Sequence, residues 1–418
     1  MSSQVVKNEI FTTDGVPLKE SLRRAERRNK TRAFLLVVPL ALFIIITFVV
    51  PIFDMLLRSV DDKQINTVFP RTFELYKQWD GEELPSEKMY ATMFDEIVNG
   101  EKIKIGRAST RMNYDKSGWK SLLKKSKRKF KKIKEGPYKE QMIEADKRWG
   151  EKEYWQALGA MVDPYTFGYY LNALDLKYDL DRNITRQNED RRIYNKTWIK
   201  TVKVSILVTL FCLILGYPIA HLLATLPLRY SNLLMICVLL PFWTSLLVRT
   251  VAWIVILMQK GVFNSILVWA GIIADDQRMQ LVYNETGTLI AMTQILLPFM
   301  VLPLYSVMKT IPPSYMRAAL NLGATPARAF LKVYMPQTVP GISAGGLLVF
   351  VLAIGYYITP ELVGGKDGQL IGHWIAYHLK TTLNWGLTAS LGSILLFVML
   401  ILYWVYNKIV GIENIKLG

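Results

Sequence analysis

Six stretches of this chain are long enough and apolar enough to cross a lipid bilayer, and they restrict the fold more than any other feature. A helix needs about 20 mainly apolar residues to cross roughly 30 Å of hydrocarbon. We predict transmembrane helices at residues 33–57, 199–226, 233–258, 287–310, 339–362 and 386–410. The composition agrees, since 51% of the 418 residues are hydrophobic. The expected fold class is therefore an all-α membrane protein.

The charge of the N-terminal tail, residues 1–32, predicts how these spans are oriented. Basic residues cluster in this tail immediately before the first span, and such clusters stay in the cytoplasm. The first span is expected to be an uncleaved anchor, because no small-residue cleavage site follows it. Six spans then return the C-terminus to the cytoplasm and place residues 311–337 there as well. Beside a membrane helix, we do not expect the basic run to bind nucleic acid.

Residues 58–198 form an insert that is soluble in character and is expected to lie on the periplasmic or extracellular side of the membrane. Charged residues are dense there, no apolar run reaches spanning length, and the segment is long enough to bury its own core. Helical spacing of apolar residues predicts a mainly helical domain. The basic block 120–134 is either a solvated helix face or a contact for anionic lipid or an acidic partner. Residues 259–286 form a second external loop with a short interfacial helix.

The segment 311–337 lacks the apolar density of a span and is punctuated by proline and glycine. The pair Pro312-Pro313 predicts the start of a helix, and Gly323 predicts its end. A second short helix is expected to begin at Thr325-Pro326. Small residues in this segment would let another surface approach closely: Ala318, Ala319 and Gly323.

The spacing in this segment resembles the coupling loop of permease subunits of binding-protein-dependent ABC importers. The family pattern is Glu-Ala-Ala, three residues, Gly, nine residues, Ile, one residue and Leu-Pro. The same register here gives Arg317-Ala318-Ala319, Gly323, Val333 and Met335-Pro336, with Arg317 in place of the usual acid. The resemblance implies that the loop couples the permease to an ATPase through Arg317, Ala318, Ala319, Gly323 and Pro336.

Three further stretches resemble the spermidine/putrescine-type branch of these permeases: residues 240–250, 297–305 and 359–365. The resemblance covers residues 200–410 and the first span. It implies the six-helix type I importer permease fold in a bacterial inner membrane, working by alternating access. The implied partners are a dimer of ABC ATPases, a second permease that forms a heterodimer with this chain, and a periplasmic solute-binding protein.

The candidate solute pathway combines aromatic and charged residues within or near the spans: Trp243, Arg249, Trp253, Tyr356, Tyr357 and Glu361. Relatives that move polyamines often carry an acid near the position of Tyr356 and Tyr357. Aromatic ring faces attract cations, although ordinary packing also accounts for such residues. Arg249 favours an anionic or zwitterionic solute and Glu361 favours a polyamine, and these residues do not separate the two. The expected function is import of a small organic solute that is polyamine-like or otherwise cationic or polar, received from the external binding protein.

The motifs of several other activities are missing from the sequence. There is no P-loop, so the chain is not expected to be an enzyme, and ATP and Mg²⁺ would be used by the partner ATPase. No cofactor is expected in this chain. The three histidines have no metal-ligand partners at useful spacing, and Cys212 and Cys237 fall inside apolar spans as small hydrophobic residues.

Two other classes of membrane protein are alternatives. A secondary transporter would show inverted repeats with broken helices at matching positions, and no such symmetry is visible between the halves of the chain. A membrane receptor or scaffold would use its spans to present the domain formed by residues 58–198. Six spans exceed what anchoring requires, and a scaffold has no need of the Ala-Ala-x-x-x-Gly loop.

Overall fold

The computed structural model describes residues 18–179 and 183–410, which divide into two units, residues 1–57 and residues 58–418. Part of the predicted tail (1–17) and the last residues of the chain (411–418) lie outside the described residues. From residue 18 onward, the first unit is one helical segment. It consists of α1 (Leu18–Ile44), a π-helical turn (Ile45–Val49) and α2 (Val50–Arg58), whose last residue is the first of the second unit.

In the second unit, the insert is a bundle of short helices. They are α3 (Lys63–Asn66), α4 (Pro70–Tyr76), α5 (Glu87–Asn99), α6 (Lys102–Asp115), α7 (Trp119–Phe130), α8 (Tyr138–Ala145), α9 (Lys152–Ala157) and α10 (Gly168–Ala173). Three 3₁₀ turns accompany them at Lys147–Gly150, Leu158–Met161 and Glu189–Arg191. The strands β1 (Leu176–Tyr178) and β2 (Ile184–Arg186) pair antiparallel, with Lys177 opposite Thr185. The expected mainly helical insert is confirmed, with this small hairpin as the exception.

Tryptophans form the core of the insert. Trp119, Trp149 and Trp155 are fully buried, and their rings pack edge-on or tilted against one another. The indole nitrogen of Trp149 donates to Ser126 Oγ at 2.9 Å, and that of Trp155 donates to the Trp149 carbonyl at 2.9 Å. Aromatic side chains bury large apolar areas while their polar atoms still need partners. The recurring tryptophans of this segment therefore build a hydrophobic core.

A buried ion cluster lies within the insert, between α6, α10 and the residue before α3. Arg111 donates to Asp62 through Nε (3.2 Å) and Nη2 (2.8 Å), and to Asp115 through Nη1 (2.7 Å). The Tyr169 hydroxyl donates to Asp62 at 2.9 Å. Burial opposes the charge of Arg111, but the two facing carboxylates raise the pKa of its guanidinium above the usual value. Burial also raises the pKa of Asp115, against the effect of Arg111.

The membrane region begins with α11 (Tyr194–Thr225), whose first turn is fixed to the insert by Asp175. The Asp175 carboxylate accepts hydrogen bonds from the backbone N–H groups of Ile193, Tyr194 and Asn195 at 2.7–3.1 Å. The first N–H groups of a helix have no partner within it, so an acid there satisfies them and also favours the helix dipole. The insert and α11 are thereby joined without a flexible linker.

The remaining helices are α12 (Leu228–Leu239), α13 (Leu246–Leu257), α14 (Val262–Trp269), α15 (Glu285–Thr310), α16 (Pro313–Asn321), α17 (Pro326–Ala329), α18 (Met335–Gln337), α19 (Val339–Ile354), α20 (Ile358–Val363), α21 (Ile371–Tyr377) and α22 (Trp385–Val410). The 3₁₀ turns lie at Leu240–Trp243 and Asp275–Gln277, and π-helical turns lie at Phe330–Tyr334 and His378–Thr382. Helices α11, α15 and α19 share the main membrane core. Gly345 allows α19 to approach α15, because a Cβ there would meet the backbone oxygen of Met300 at 3.0 Å.

Two predicted spans are interrupted in the structure. Residues 233–258, predicted as one helix, are α12 and α13 separated by a 3₁₀ turn and by Thr244 and Ser245 in extended conformation, with ψ of 146° and 140°. Pro241 lies in this turn and cannot donate a backbone hydrogen bond. The predicted span 339–362 also breaks, because α19 ends at Ile354 and α20 begins at Ile358. Among the described residues, five helices are long and apolar enough to cross a membrane, or six if the bent pair Pro326–Gln337 and Val339–Ile354 counts as one span.

Candidate functional site

The segment between α15 and α19 folds as two short helices joined by a glycine turn. Helix α16 has Pro313 at its first position, where the missing N–H would have had no partner. Gly323 then adopts a φ of +84°, in the left-handed region that residues with a Cβ rarely enter. The Thr325 hydroxyl accepts a hydrogen bond from the backbone N–H of Arg328 at 3.4 Å and starts α17. In the segment between α15 and α19, the helix boundaries predicted from the sequence agree closely with those observed.

The residues predicted to contact an ATPase are accessible. Arg317, Ala318, Gly323 and Pro336 are exposed, and Ala319 is partly buried. A Cβ on Gly323 would meet no atom of this chain within 4 Å, so the glycine is required by its backbone conformation and not by packing within the subunit. Leu322, at the tip of the turn, is 89% exposed.

The inner side of the loop packs on the membrane core through aromatic residues that the sequence analysis did not single out. Phe330 and Tyr334 stack with ring centroids 5.5 Å apart in the π-helical turn. His221, near the end of α11, packs edge-on against both rings, at 5.4 and 5.1 Å. Single π-helical turns occur often at functional sites, and this one links α11 to the loop. The sequence did contain a signal for Phe330 and Tyr334, because two aromatic residues lie four positions apart in an otherwise polar segment.

A second group of predicted residues meets at the break between α19 and α20. The hydroxyls of Thr250 on α13 and Thr359 on α20 lie 3.2 Å apart and are buried, which holds the two helices together. Arg249 precedes Thr250 on α13, and Tyr356 lies in the break between α19 and α20, shortly before Thr359. The Arg249 Nε atom is buried and has no hydrogen-bond partner within the described chain.

Tyr357 faces a different cluster, which combines an acid, a base and ring faces. The Glu361 carboxylate forms a hydrogen bond with His373 Nδ1, and His373 stacks on Tyr377 with centroids 6.1 Å apart. The ammonium of Lys380 lies 5.5 Å from the centroid of the Tyr357 ring. The sequence analysis identified Tyr357 and Glu361 but not His373 and Lys380. The loop between α20 and α21 separates the two pairs along the chain.

The two predicted tryptophans behave differently. The indole of Trp253 donates to Gln294 Oε1 on α15 at 3.0 Å, so it is fixed within the bundle. Trp243 is 74% exposed at the interruption between α12 and α13 and joins neither cluster. Among the described residues, no group of three or more His, Cys, Asp or Glu side chains could hold a metal ion.

The comparison with known proteins agrees with this arrangement. The model of the family described as "Binding-protein-dependent transport system inner membrane component" matches residues 204–410. The chain is 35% identical over 228 residues to the spermidine/putrescine transport system permease protein PotB of Escherichia coli, covering 53% of this chain and 82% of the relative. The chain belongs to this family.

Other relatives of this permease are more distant. It is 30% identical to the inner membrane ABC transporter permease protein YdcU of Escherichia coli, over 51% of this chain and 71% of the relative. It is 27% identical to the molybdenum transport system permease protein ModB of Mycobacterium bovis, over 40% of this chain and 61% of the relative. A solved bacterial ABC transporter involved in the import of the acidic polysaccharide alginate is 17% identical, with a TM-score of 0.42, over 55% of this chain and 81% of that chain.

Membership confirms the main expectations from the sequence. The chain is a multi-pass permease of the inner membrane with an all-α fold, and the resemblance to the spermidine/putrescine-type branch is confirmed. The matched region begins at residue 204, so the insert lies outside it. The roles of the individual coupling and pathway residues stay predictions.

Proposed function

We propose that this permease subunit imports a polyamine-like organic cation. The observation that carries the proposal is the cluster around Tyr357 and Glu361, where the chain already places an ammonium over a ring and a base against a carboxylate. A site that accommodates Lys380 and His373 in this way has the chemistry to accommodate the amino groups of a solute. The 35% identity to a permease named for spermidine and putrescine supports the same solute class.

The energetics favour an acid with aromatic neighbours for this task. A charged amine loses its hydration when it enters a membrane-embedded pathway, and a carboxylate such as Glu361 offsets that cost. Each cation–π contact adds about 0.5–2 kcal/mol, depending on desolvation. In this proposal the solute's amines displace Lys380 from Tyr357 and compete with His373 for Glu361. The internal partners neutralise the site while it holds no solute.

The driving force in this proposal comes from partner subunits. The sequence contains no P-loop, so ATP and Mg²⁺ are used by a dimer of ABC ATPases that contacts the exposed face of α16 and the Gly323 turn. A second permease completes the membrane pathway, and a periplasmic binding protein delivers the solute. In this proposal the basic tail keeps the N-terminus in the cytoplasm, and six spans return the C-terminus to the same side. Closure of the ATPases pulls on the loop, and the contact of Phe330 and Tyr334 with His221 passes the motion to α11.

The direct test is transport by the reconstituted assembly. The chain is purified with the subunits that accompany it and placed in proteoliposomes with the binding protein. We expect ATP-dependent uptake of labelled spermidine or putrescine, with competition by other diamines and none by molybdate or a neutral sugar. Uptake without an ATPase would contradict the proposal. Uptake of an oxyanion in place of the amine, lost in Arg249→Gln, would assign the pathway to an anion.

Replacing Glu361 by Gln is expected to raise the KM for a diamine about tenfold or more, because a charge-assisted hydrogen bond contributes about 1.5–3 kcal/mol. The measurement is the concentration dependence of uptake in the same proteoliposomes. The matched control is Glu285→Gln, which removes one carboxylate from a pair with the exposed Lys203. An unchanged KM in Glu361→Gln, or an equal rise in the control, would count against Glu361 as a solute contact.

A further inference from the structure

A cavity of about 780 Å³ lies where the insert meets the ends of α11 and α22. One wall is a face of α6, and another is formed by α21 and the π-helical turn His378–Thr382. The walls are fixed relative to each other, because the Ser390 hydroxyl on α22 donates to the Tyr169 carbonyl at 3.1 Å and Asp175 holds the start of α11. The cavity is therefore built into the junction of insert and membrane region.

Positive charge dominates the lining of this cavity. Lys102, Arg107, Lys120 and Arg191 line it, together with one acid, Asp190. In the described structure none of these side chains forms an ion pair, although Arg191 Nη1 donates to the Asn113 carbonyl at 3.3 Å. Cations that share a partly enclosed space repel one another, and a bound anion relieves that repulsion. The same charge would repel a polyamine, so the cavity is not part of the proposed solute route.

The wall formed by α6 leaves room for a ligand. Gly106 lies in the second turn of this helix, where glycine costs about 0.5–1 kcal/mol relative to alanine. A Cβ at this position would meet nothing within 4 Å, so packing within the chain does not explain the glycine. Its bare backbone lies between Lys102 and Arg107, both of which line the cavity. The helix thus presents an open surface flanked by cations.

The opposite wall is aromatic and uncharged. Trp374 and Tyr377 line it and pack edge-on with centroids 5.7 Å apart. His378 Nε2 is 2.7 Å from the Tyr194 hydroxyl and Nδ1 is 3.0 Å from Thr382 Oγ1. Burial lowers the pKa of His378 to about 4, so the ring adds no charge at neutral pH. Tryptophan and tyrosine near the ends of spanning helices are typical of the membrane–water interface.

We propose that this cavity is a binding site for a phosphate-bearing anion, held by Lys102, Arg107 and Lys120 against the aromatic wall. Guanidinium and ammonium groups are the usual protein partners of phosphate oxygens. The phosphate belongs either to the headgroup of an anionic phospholipid or to a soluble phosphate ester. In both cases the bound anion bridges the insert and the membrane region, and so stabilises their junction.

The test compares the thermal stability of the full chain, purified with its accompanying subunits, in nanodiscs of phosphatidylcholine with and without phosphatidylglycerol. A second arm adds glycerol phosphate to the phosphatidylcholine sample. The variant Lys102→Gln/Arg107→Gln removes two lining cations. The matched control, Lys124→Gln/Arg128→Gln, removes two exposed cations of α7 that do not line the cavity.

We expect phosphatidylglycerol or glycerol phosphate to raise the Tm of the wild type and of the control. In the lining variant the apparent affinity for the anion should fall about tenfold or more. A response to phosphatidylglycerol alone assigns the phosphate to a lipid, and a response to glycerol phosphate assigns it to a soluble ester. No rise with either anion overturns the proposal, as does an equal loss of affinity in the control.

Discussion

Replacing Gly323 by Asp is expected to abolish ATP-driven uptake while the amount of protein in the membrane stays unchanged. The glycine adopts a φ of +84°, and the new side chain would strain the backbone by about 1–2 kcal/mol. It would also project a carboxylate into space where no atom of this chain lies within 4 Å, and this is where we expect the ATPase to bind. Uptake and membrane content are measured on the same vesicles.

Gly81→Asp is the matched control for this substitution. Gly81 lies in the insert, has a φ of +79° and has no neighbour within 4 Å of a built Cβ. An aspartate at position 81 therefore introduces the same backbone strain and the same charge, but far from the loop in sequence. We expect nearly normal uptake from this variant. If Gly323→Asp transports normally, or if both variants fail alike, the assigned role of the loop is contradicted.

Replacing Arg111 by Leu is expected to destabilise the insert by about 3–5 kcal/mol, because removing one partner leaves buried charge without compensation. Asp62 and Tyr169 are almost completely buried, and Asp62 would lose both hydrogen bonds from the guanidinium. The free energy of unfolding is measured by urea titration of the full chain in detergent, followed through tryptophan emission. The buried Trp119, Trp149 and Trp155 report on the insert.

The control for Arg111 is Lys104→Met on the same helix. Lys104 pairs with Glu101 at 2.7 Å, but both side chains are more than half exposed. Exposed pairs contribute about 0–1 kcal/mol, so this variant should unfold close to the wild type. Equal stability of Arg111→Leu and the wild type would show that the buried cluster does not hold the insert together.

The sequence was sufficient where a local property determines the structure. An apolar run of spanning length has few alternatives to a helix, so α11, α15 and α22 lie where the runs predicted them. The turn at Gly323 was also predictable, because few residues other than glycine end a helix in the left-handed conformation. The length of residues 58–198 indicated a core of their own before any contact was known.

The interruptions of the membrane helices were not predictable in the same way. A proline inside an apolar run is compatible with a straight, kinked or broken helix, because neighbouring helices can satisfy the freed carbonyl groups. Pro298 lies inside the continuous α15, whereas Pro241 lies in the turn that separates α12 from α13. Tertiary contacts such as Thr250 with Thr359 decide between these outcomes, and sequence spacing does not contain them.

Long-range pairs were likewise missed. Asp62 and Arg111 are separated by 49 residues, and Tyr194 and His378 by 184, so no helical or strand period connects them. His373 was considered only as a metal ligand, and its pairing with Glu361 depends on how α20 and α21 meet. The sequence analysis identified the candidate residues that stand out by residue type and local spacing. Their partners could be identified only from the folded structure.

The side of the membrane on which Leu322 lies decides whether the loop can meet a cytosolic ATPase. The 89% exposed side chain of Leu322 is replaced by Cys in a chain whose exposed Cys237 is changed to Ser, leaving only the buried Cys212. Lys124→Cys in the insert serves as the reference for a position on the outer side of the membrane. We predict that a membrane-impermeant maleimide labels position 322 in inverted vesicles only and position 124 in intact spheroplasts only. A bifunctional reagent should then join position 322 to the ATPase. Labelling of position 322 from the outer side would contradict the account.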